Sequence, residues 1–280
     1  VRWRLVAAWN VCKTLLLVAG GCAAVAAIGW PIGGYRLVSL LVFFGLLVAA
    51  AAYWYGDRVV LGMVGARELP LGEAPALHAS LASLAGLAGL PKPRLYLLPD
   101  GFPRALAAGR GPRGGAIAVS SGLLAAAPPA ELEGVLAHEL AHIRNRDVLV
   151  QTAAVVVAAA LIETSRVGGW LQRTLLFVLG PLAAAIVHLL LSPKREFAAD
   201  RAAATFCSSP HGLADALVRL EQAAELVEFR ASPATEPLYT INPFAEEGLA
   251  GLFVTHPPVG ERVRRLRALD PDWLDKLRAA

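Results

Sequence analysis

Two long apolar runs near the N-terminus limit what this chain can fold into more than any other feature. Residues Thr14 to Trp30 and Leu37 to Tyr55 contain no Asp, Glu, Lys or Arg. Each is about the 17 to 25 residues a helix needs to cross a bilayer core. Pro31, Gly33 and Gly34 lie between them as a turn. Arg2, Arg4 and Lys13 ahead of the first run resemble the start of a cleaved signal, but the second run directly after it favours a transmembrane hairpin. Trp30, Tyr53, Trp54 and Tyr55 stand where aromatic side chains suit the membrane–water boundary. Basic residues flank the pair on the outside, with Arg58 and Arg67 following it and only Arg36 between the runs. Positive charge stays on the cytoplasmic side, so the N-terminus and everything after Arg58 are expected there.

Composition agrees. The 280 residues are 56% hydrophobic and 17% charged, where soluble domains run nearer a quarter charged. A net charge of +4 without a basic stripe points to no nucleic-acid partner. Three cysteines, Cys12, Cys22 and Cys207, have no framework spacing and fit a reducing compartment. The expected division is a transmembrane hairpin over residues 1–60 and a second domain over 61–280. That domain includes two further hydrophobic helices, 148–162 and 169–191. The first would be about 22 Å long, short of the roughly 30 Å hydrocarbon core, so membrane insertion and packing against protein both stand open for it. The second is long enough to span.

Within the second domain, Leu77, Leu81, Leu84 and Leu87 mark a helix over 74–90. Strands are expected over 94–98, 105–108 and 115–120, and helices over 122–126 and 130–145. The last of these, entered through Pro128 and Pro129, carries His138-Glu139-Leu140-Ala141-His142. Residues four apart share one helix face, so both imidazoles can meet one metal ion, with Glu139 beside them to act on a water. This is the H-E-x-x-H pattern of zinc hydrolases. A catalytic zinc takes three protein ligands and keeps one open position. Glu196, on the helix that leaves the fourth apolar run, is the best-placed third ligand for one Zn2+ per chain. Asp200 lies one turn further on the same face and suits an imidazole N–H, fixing its tautomer.

Around that motif, Leu132 to Asp147 resembles the HtpX-type membrane zinc endopeptidases, relatives of the CAAX prenyl endopeptidases. Other stretches agree in order: Gly65-Ala66-Arg67-Glu68, Gly89-Leu90-Pro91, Ala116 to Leu124, Arg195-Glu196-Phe197-Ala198-Ala199-Asp200, and Thr255-His256-Pro257-Pro258 with Arg262. The resemblance implies a mainly α membrane protein holding a zincin-like α+β metallopeptidase domain with a small β-sheet. It implies His138, His142 and Glu196 as zinc ligands and Glu139 as catalytic base. It further implies four hydrophobic segments in the cell (cytoplasmic) membrane, a site facing the cytoplasm, and misfolded or damaged membrane proteins as polypeptide substrates. His256 resembles a family histidine that steadies the oxyanion; a loop histidine between prolines is the other reading.

One departure concerns substrate. Arg104-Ala105-Leu106-Ala107-Ala108-Gly109 stands where the family has an Asn-Ala-Phe-Ala-Thr-Gly-like run, whose asparagine contacts the substrate backbone. Arg104 is larger, charged and a donor only. Arg104 and Ala105 are thus candidate substrate contacts. The strand over 115–120, with Ala116 and Ala118, is expected to take a substrate as an added β-strand. Two alternatives accompany this reading: a narrow-specificity processing peptidase, and a catalytically silent membrane scaffold, against which the presence of Glu139 speaks.

Overall fold

A computed structural model describes residues 2–164, 185, 193–226 and 256–272. The expected apolar helix over 169–191 therefore lies outside the described residues, Ala185 excepted. Helix α1 (Arg2–Met63) is broken at Gly34, whose φ of 61° is open to glycine at little cost. The break reverses the chain. A Cβ on Gly29 would meet Val38 Cγ2 at 3.4 Å and Leu41 Cδ1 at 3.5 Å, atoms that a straight helix would hold more than about 13 Å away. Two helical stretches, Trp3–Ala24 before the break and Gly29–Met63 across it, have mean hydropathies of 1.6 and 2.3 and are long and apolar enough to cross a membrane. Phe43, Phe44, Leu47 and Val48 are exposed on them. The helices run past both ends of the expected 14–55 segment because Arg4, Lys13 and Arg58 are as helix-compatible as their neighbours.

The sheet contains β1 (Arg67–Glu68), β2 (Arg94–Leu98), β3 (Ala105–Gly109) and β4 (Gly115–Ser120) in the order β1-β2-β4-β3. β2 and β4 are parallel; the other pairs are antiparallel. Alternate residues face opposite sides. Leu95, Ala105, Ala107, Ile117 and Val119 pack on one side with α2 (Pro75–Ala88) and α4 (Pro129–Arg144). Leu98, Leu106, Ala108, Ala116 and Ala118 pack on the other with Val60 and Leu61 of α1 and Val155 of α5 (Asp147–Thr164). The end of the hairpin is thus part of the second domain's core, and the boundary at residue 60 cuts through a packed cluster.

This order corrects the expectation for the 115–120 strand. Ala116 is paired to both Arg94 and Ala108, and Ala118 to both Tyr96 and Leu106. Both edges of β4 are used, so it cannot take an added strand, and its alanines are small because they are packed, not because they face a substrate. β1 and β3 form the sheet edges. Of the two readings left open for 148–162, packing against protein holds for its first turns. Val148, Leu149, Val150, Ala154 and Val155 are buried, and a Cβ on Gly56 of α1 would come within 2.8 Å of Thr152 Cγ2.

Helix α3 (Ser121–Ala126) is capped by Ser120, whose hydroxyl accepts from Leu123 N–H. Beyond α5 come α6 (Lys194–Ala203), α7 (Pro210–Leu226) and α8 (Val259–Arg267). α4 and α7 cross backbone to backbone: a Cβ on Gly134 would sit 2.5 Å from Leu213 N, and one on Gly212 would sit 2.3 Å from Ala130 O. With α2 and the sheet on its other sides, α4 is enclosed. Leu136 and Leu140 are fully buried there, each contributing about 1.5–3 kcal/mol.

Candidate metal centre

Helix α4 carries His138, Glu139 and His142, all buried. Enclosure fixes their rotamers, which a site of defined geometry needs. The chain then turns through Asn145 and Arg146, a non-glycine residue at φ 58°, and restarts as α5 at Asp147. This left-handed turn costs about 1–2 kcal/mol and brings Asp147 back beneath α4. Asp147 Oδ2 lies 3.0 Å from His142 Nδ1. On α6, Glu196 and Asp200 face the same cluster. Asp200 Oδ1 lies 3.0 Å from His138 Nδ1.

These two carboxylates accept the Nδ1–H of the two histidines, so both Nε2 atoms are left as acceptors. The Nε2 atoms are 3.1 Å apart, and Glu196 oxygens stand 3.4 Å from His138 Nε2 and 3.6 Å from His142 Nε2. In the neutral tautomers three acceptors converge, an arrangement that draws in either a shared proton or a metal ion. The Glu196 carboxylate is buried, and Arg195 Nε stands 3.2 Å from its Oε1. A buried carboxylate beside two imidazole lone pairs favours a cation at their centre. His138, His142 and Glu196 fit a metal ion, and the separations are close to the roughly 3.3 Å edge of a tetrahedron with 2.0–2.1 Å bonds.

The electrostatics favour a positive charge at the same point. Burial alone would lower the pKa of His142, but Glu196 and Asp147 overcome it and push it up to about 10. For His138, likewise, burial is outweighed by Asp200 and Glu196, and the pKa rises. Burial would raise Glu196, yet the charges of His142 and His256 and the adjacent His138 imidazole hold it well below the usual range. Asp200 is also buried, and Arg262 and His138 bring it down to about 2. Here the cationic sites are imidazolium protons; a metal ion displaces them.

Arg262 of α8 is fully buried and grips Asp200 with Nε at 2.8 Å and Nη2 at 2.7 Å, while its Nη1 lies 3.7 Å from Glu196 Oε2. Glu139 is near enough that its charge helps hold the Arg262 proton. His256 also reaches the cluster, with Nε2 3.9 Å from Glu196 Oε2. Arg104 is buried; its Nη2 meets Asp100 Oδ2 at 2.7 Å and its N–H donates to Ser120 Oγ at 2.9 Å. Ala105 begins the edge strand β3, whereas Ala116 and Ala118 face the second cluster. Sequence reasoning missed the parts played by Asp147, Arg262 and Asn10. Asn10 of α1 donates Nδ2–H to Asp147 Oδ1 at 2.7 Å and to Asn145 O at 3.0 Å. The available signals were an amide in an apolar arm, an aspartate five residues after His142, and an arginine in a helix otherwise expected at the surface.

A buried helix with two histidines and a glutamate in H-E-x-x-H, a third carboxylate on a second helix and a small sheet alongside define a metallopeptidase. The chain belongs to peptidase family M48, whose model matches residues 72–270. It is 40% identical over 274 residues to a protease HtpX homolog of Persephonella marina, covering 91% of this chain and 95% of that protein. It is 41% identical over 275 residues to a protease HtpX homolog of Acidiphilium cryptum, covering 92% and 96%. It also resembles the crystal structure of S. mikatae Ste24p, with a TM-score of 0.48 and 18% identity, covering 95% of this chain and 66% of that one.

Proposed function

We propose that the chain is a zinc endopeptidase anchored in the cell membrane by the α1 hairpin, with its site on the cytoplasmic side, and that it hydrolyses misfolded or damaged membrane proteins. The observation that carries this reading is the convergence of His138 Nε2, His142 Nε2 and Glu196 within 4.8 Å of one another in a buried cluster. Two nitrogens and a carboxylate form a known hydrolytic zinc set. When bound, zinc lowers the pKa of water and polarises the scissile carbonyl. Asp200 and Asp147 keep the two imidazoles in the tautomer that offers Nε2. Glu139 takes the proton of the attacking water and delivers it to the leaving amine. His256 supplies a donor for the developing oxyanion. Arg104, held by Asp100, and Ala105 stand at the head of β3, a buried edge strand, and a substrate backbone lying beside it would have to displace what covers that edge. Backbone reading suits an enzyme that clears many different unfolded segments.

Support for the membrane anchor comes from the two exposed apolar arms and from the basic residues on their outer flanks. Both arms also return to α5, at Asp147 and at Thr152, which keeps their outer ends on one side.

The test compares native protein with Glu139→Gln for zinc content and casein cleavage. Both should hold one zinc per chain, and the variant should cut about 10²–10⁴-fold more slowly. Native protein that holds zinc and cuts nothing overturns the peptidase reading.

A further inference from the structure

We infer that Asn10, on the first arm of the hairpin, is a positioning residue for the metal centre: it orients Asp147 and, through Asp147, His142. The inference rests on His142 being a metal ligand, as proposed above.

Asn10 is out of character for its arm. It is 6% exposed, while Trp9 and Leu15 are 58% and 64% exposed. A buried amide on an apolar helix costs stability unless its hydrogen bonds are made, and hydrocarbon at this position would anchor the arm in lipid equally well. Asn10 Nδ2 makes two bonds, both to the turn that follows the motif helix: to Asn145 O, at the end of α4, and to Asp147 Oδ1, at the start of α5. Asp147 divides its two oxygens accordingly. Oδ1 takes the hairpin's amide, and Oδ2 takes the Nδ1–H of His142 at 3.0 Å. The carboxylate is itself buried, so loss of the amide would leave Oδ1 without that donor and release the rotation that aims Oδ2 at the imidazole. The turn needs the same restraint, since Arg146 holds a left-handed conformation between the two bonded residues.

The arm is brought to this spot by contacts that do not involve Asp147. Arg144 of α4 lies over the Trp3 ring at 5.1 Å and the Phe206 ring at 5.1 Å. Arg110 lies over Trp54 of the second arm at 4.1 Å. Such cation–π contacts dock the hairpin, and Asn10 uses the docked position to reach the metal ligand's partner. The membrane segment thereby becomes part of the metal site.

The experiment measures zinc dissociation constants by chelator competition, with the full chain in lipid vesicles, for native protein, Asn10→Leu, Asp147→Ala and the double variant. Asn10→Leu keeps the bulk of the side chain and removes only the amide; Asn10→Ala serves as the second variant should leucine perturb folding. Asp147→Ala should weaken zinc roughly 10–100-fold, and Asn10→Leu about tenfold. The double variant should bind no more weakly than Asp147→Ala alone, because Asn10 acts only through Asp147. Leu15→Ala, at an exposed position of the same arm that takes no part in the dock, should leave zinc affinity within about twofold of native. Cobalt-loaded Asn10→Leu should show an altered visible spectrum, reporting a displaced imidazole. Native-like zinc affinity in both Asn10 variants, or a loss that adds in full to that of Asp147→Ala, overturns the inference. A native chain that holds no zinc overturns the metal reading and this inference with it.

Discussion

Replacing Arg262 with methionine removes a fully buried guanidinium that holds both oxygens of Asp200, while keeping much of the side chain's length. Asp200 would then be a buried carboxylate with the His138 imidazole as its remaining partner in that cluster. Two routes give the size of the effect. Asp200 is held at about 2 against an ordinary 3.8, Arg262 being the chief favourable cause, which is on the order of 2 kcal/mol, and breaking a buried ion pair from one side costs about 3–5 kcal/mol. A loss of about 3 kcal/mol lowers Tm by roughly 6–12 °C for a chain of this size. The assay is thermal unfolding of the metal-stripped chain between pH 7 and about pH 2. Because the folded pKa is depressed, the pair's contribution is present above about 3.8 and fades as pH falls towards 2. The gap between native and Arg262→Met should therefore be widest at pH 7 and narrow on acidification. Arg262→Met with Asp200→Asn should recover most of the loss, since no unpaired charge is left. A gap under 1 °C, or a double variant as unstable as the single one, would refute the reasoning.

Glu196→Gln should reduce zinc affinity by more than the roughly 10–100-fold expected for outer partners; unchanged zinc content by elemental analysis would remove Glu196 from the ligand set. With the His142 pKa raised to about 10 in the metal-free protein, its stabilising contribution is fully present below about pH 6.5 and is lost as pH rises through 10. Stripped protein should thus lose Tm from pH 7 to 10 while zinc-loaded protein does not. Zinc uptake at pH 7 should release protons, detectable by calorimetry in buffers of different ionisation enthalpy. Gly134→Ala places a methyl 2.5 Å from Leu213 N and should cost about 1–3 kcal/mol, read as a lower Tm.

Local patterns made much of this protein legible. The apolar face of α4, its paired prolines and the four-residue spacing of His138 and His142 are short-range properties, and they located the motif helix correctly. Glu196 followed from the chemistry of an incomplete ligand set. What escaped was set by chain crossings. Asn10 meets Asp147 across 137 residues, and Arg262 meets Asp200 across 62; no periodicity encodes either. The same blindness explains Ala116 and Ala118. Small residues in a strand look alike whether they border a groove or fill a packed interior, and the strand order that decides between these is itself long-range. β1, two residues long, carries no pattern at all.

The crossing from Arg262 back to Asp200 and His138 also bears on the order in which the molecule is made. Arg262 lies 124 residues after His138, so a growing chain displays both histidines and Glu196 well before the guanidinium that steadies Asp200 leaves the ribosome. Until α8 docks, Asp200 lacks the guanidinium that fixes both its oxygens, and its hold on the His138 ring is looser. The ion pair that fixes Asp200 can therefore form only late in synthesis, after α4 and α6 are complete. A mature chain whose α8 is pulled away should hold Asp200, and with it the His138 ring, less firmly.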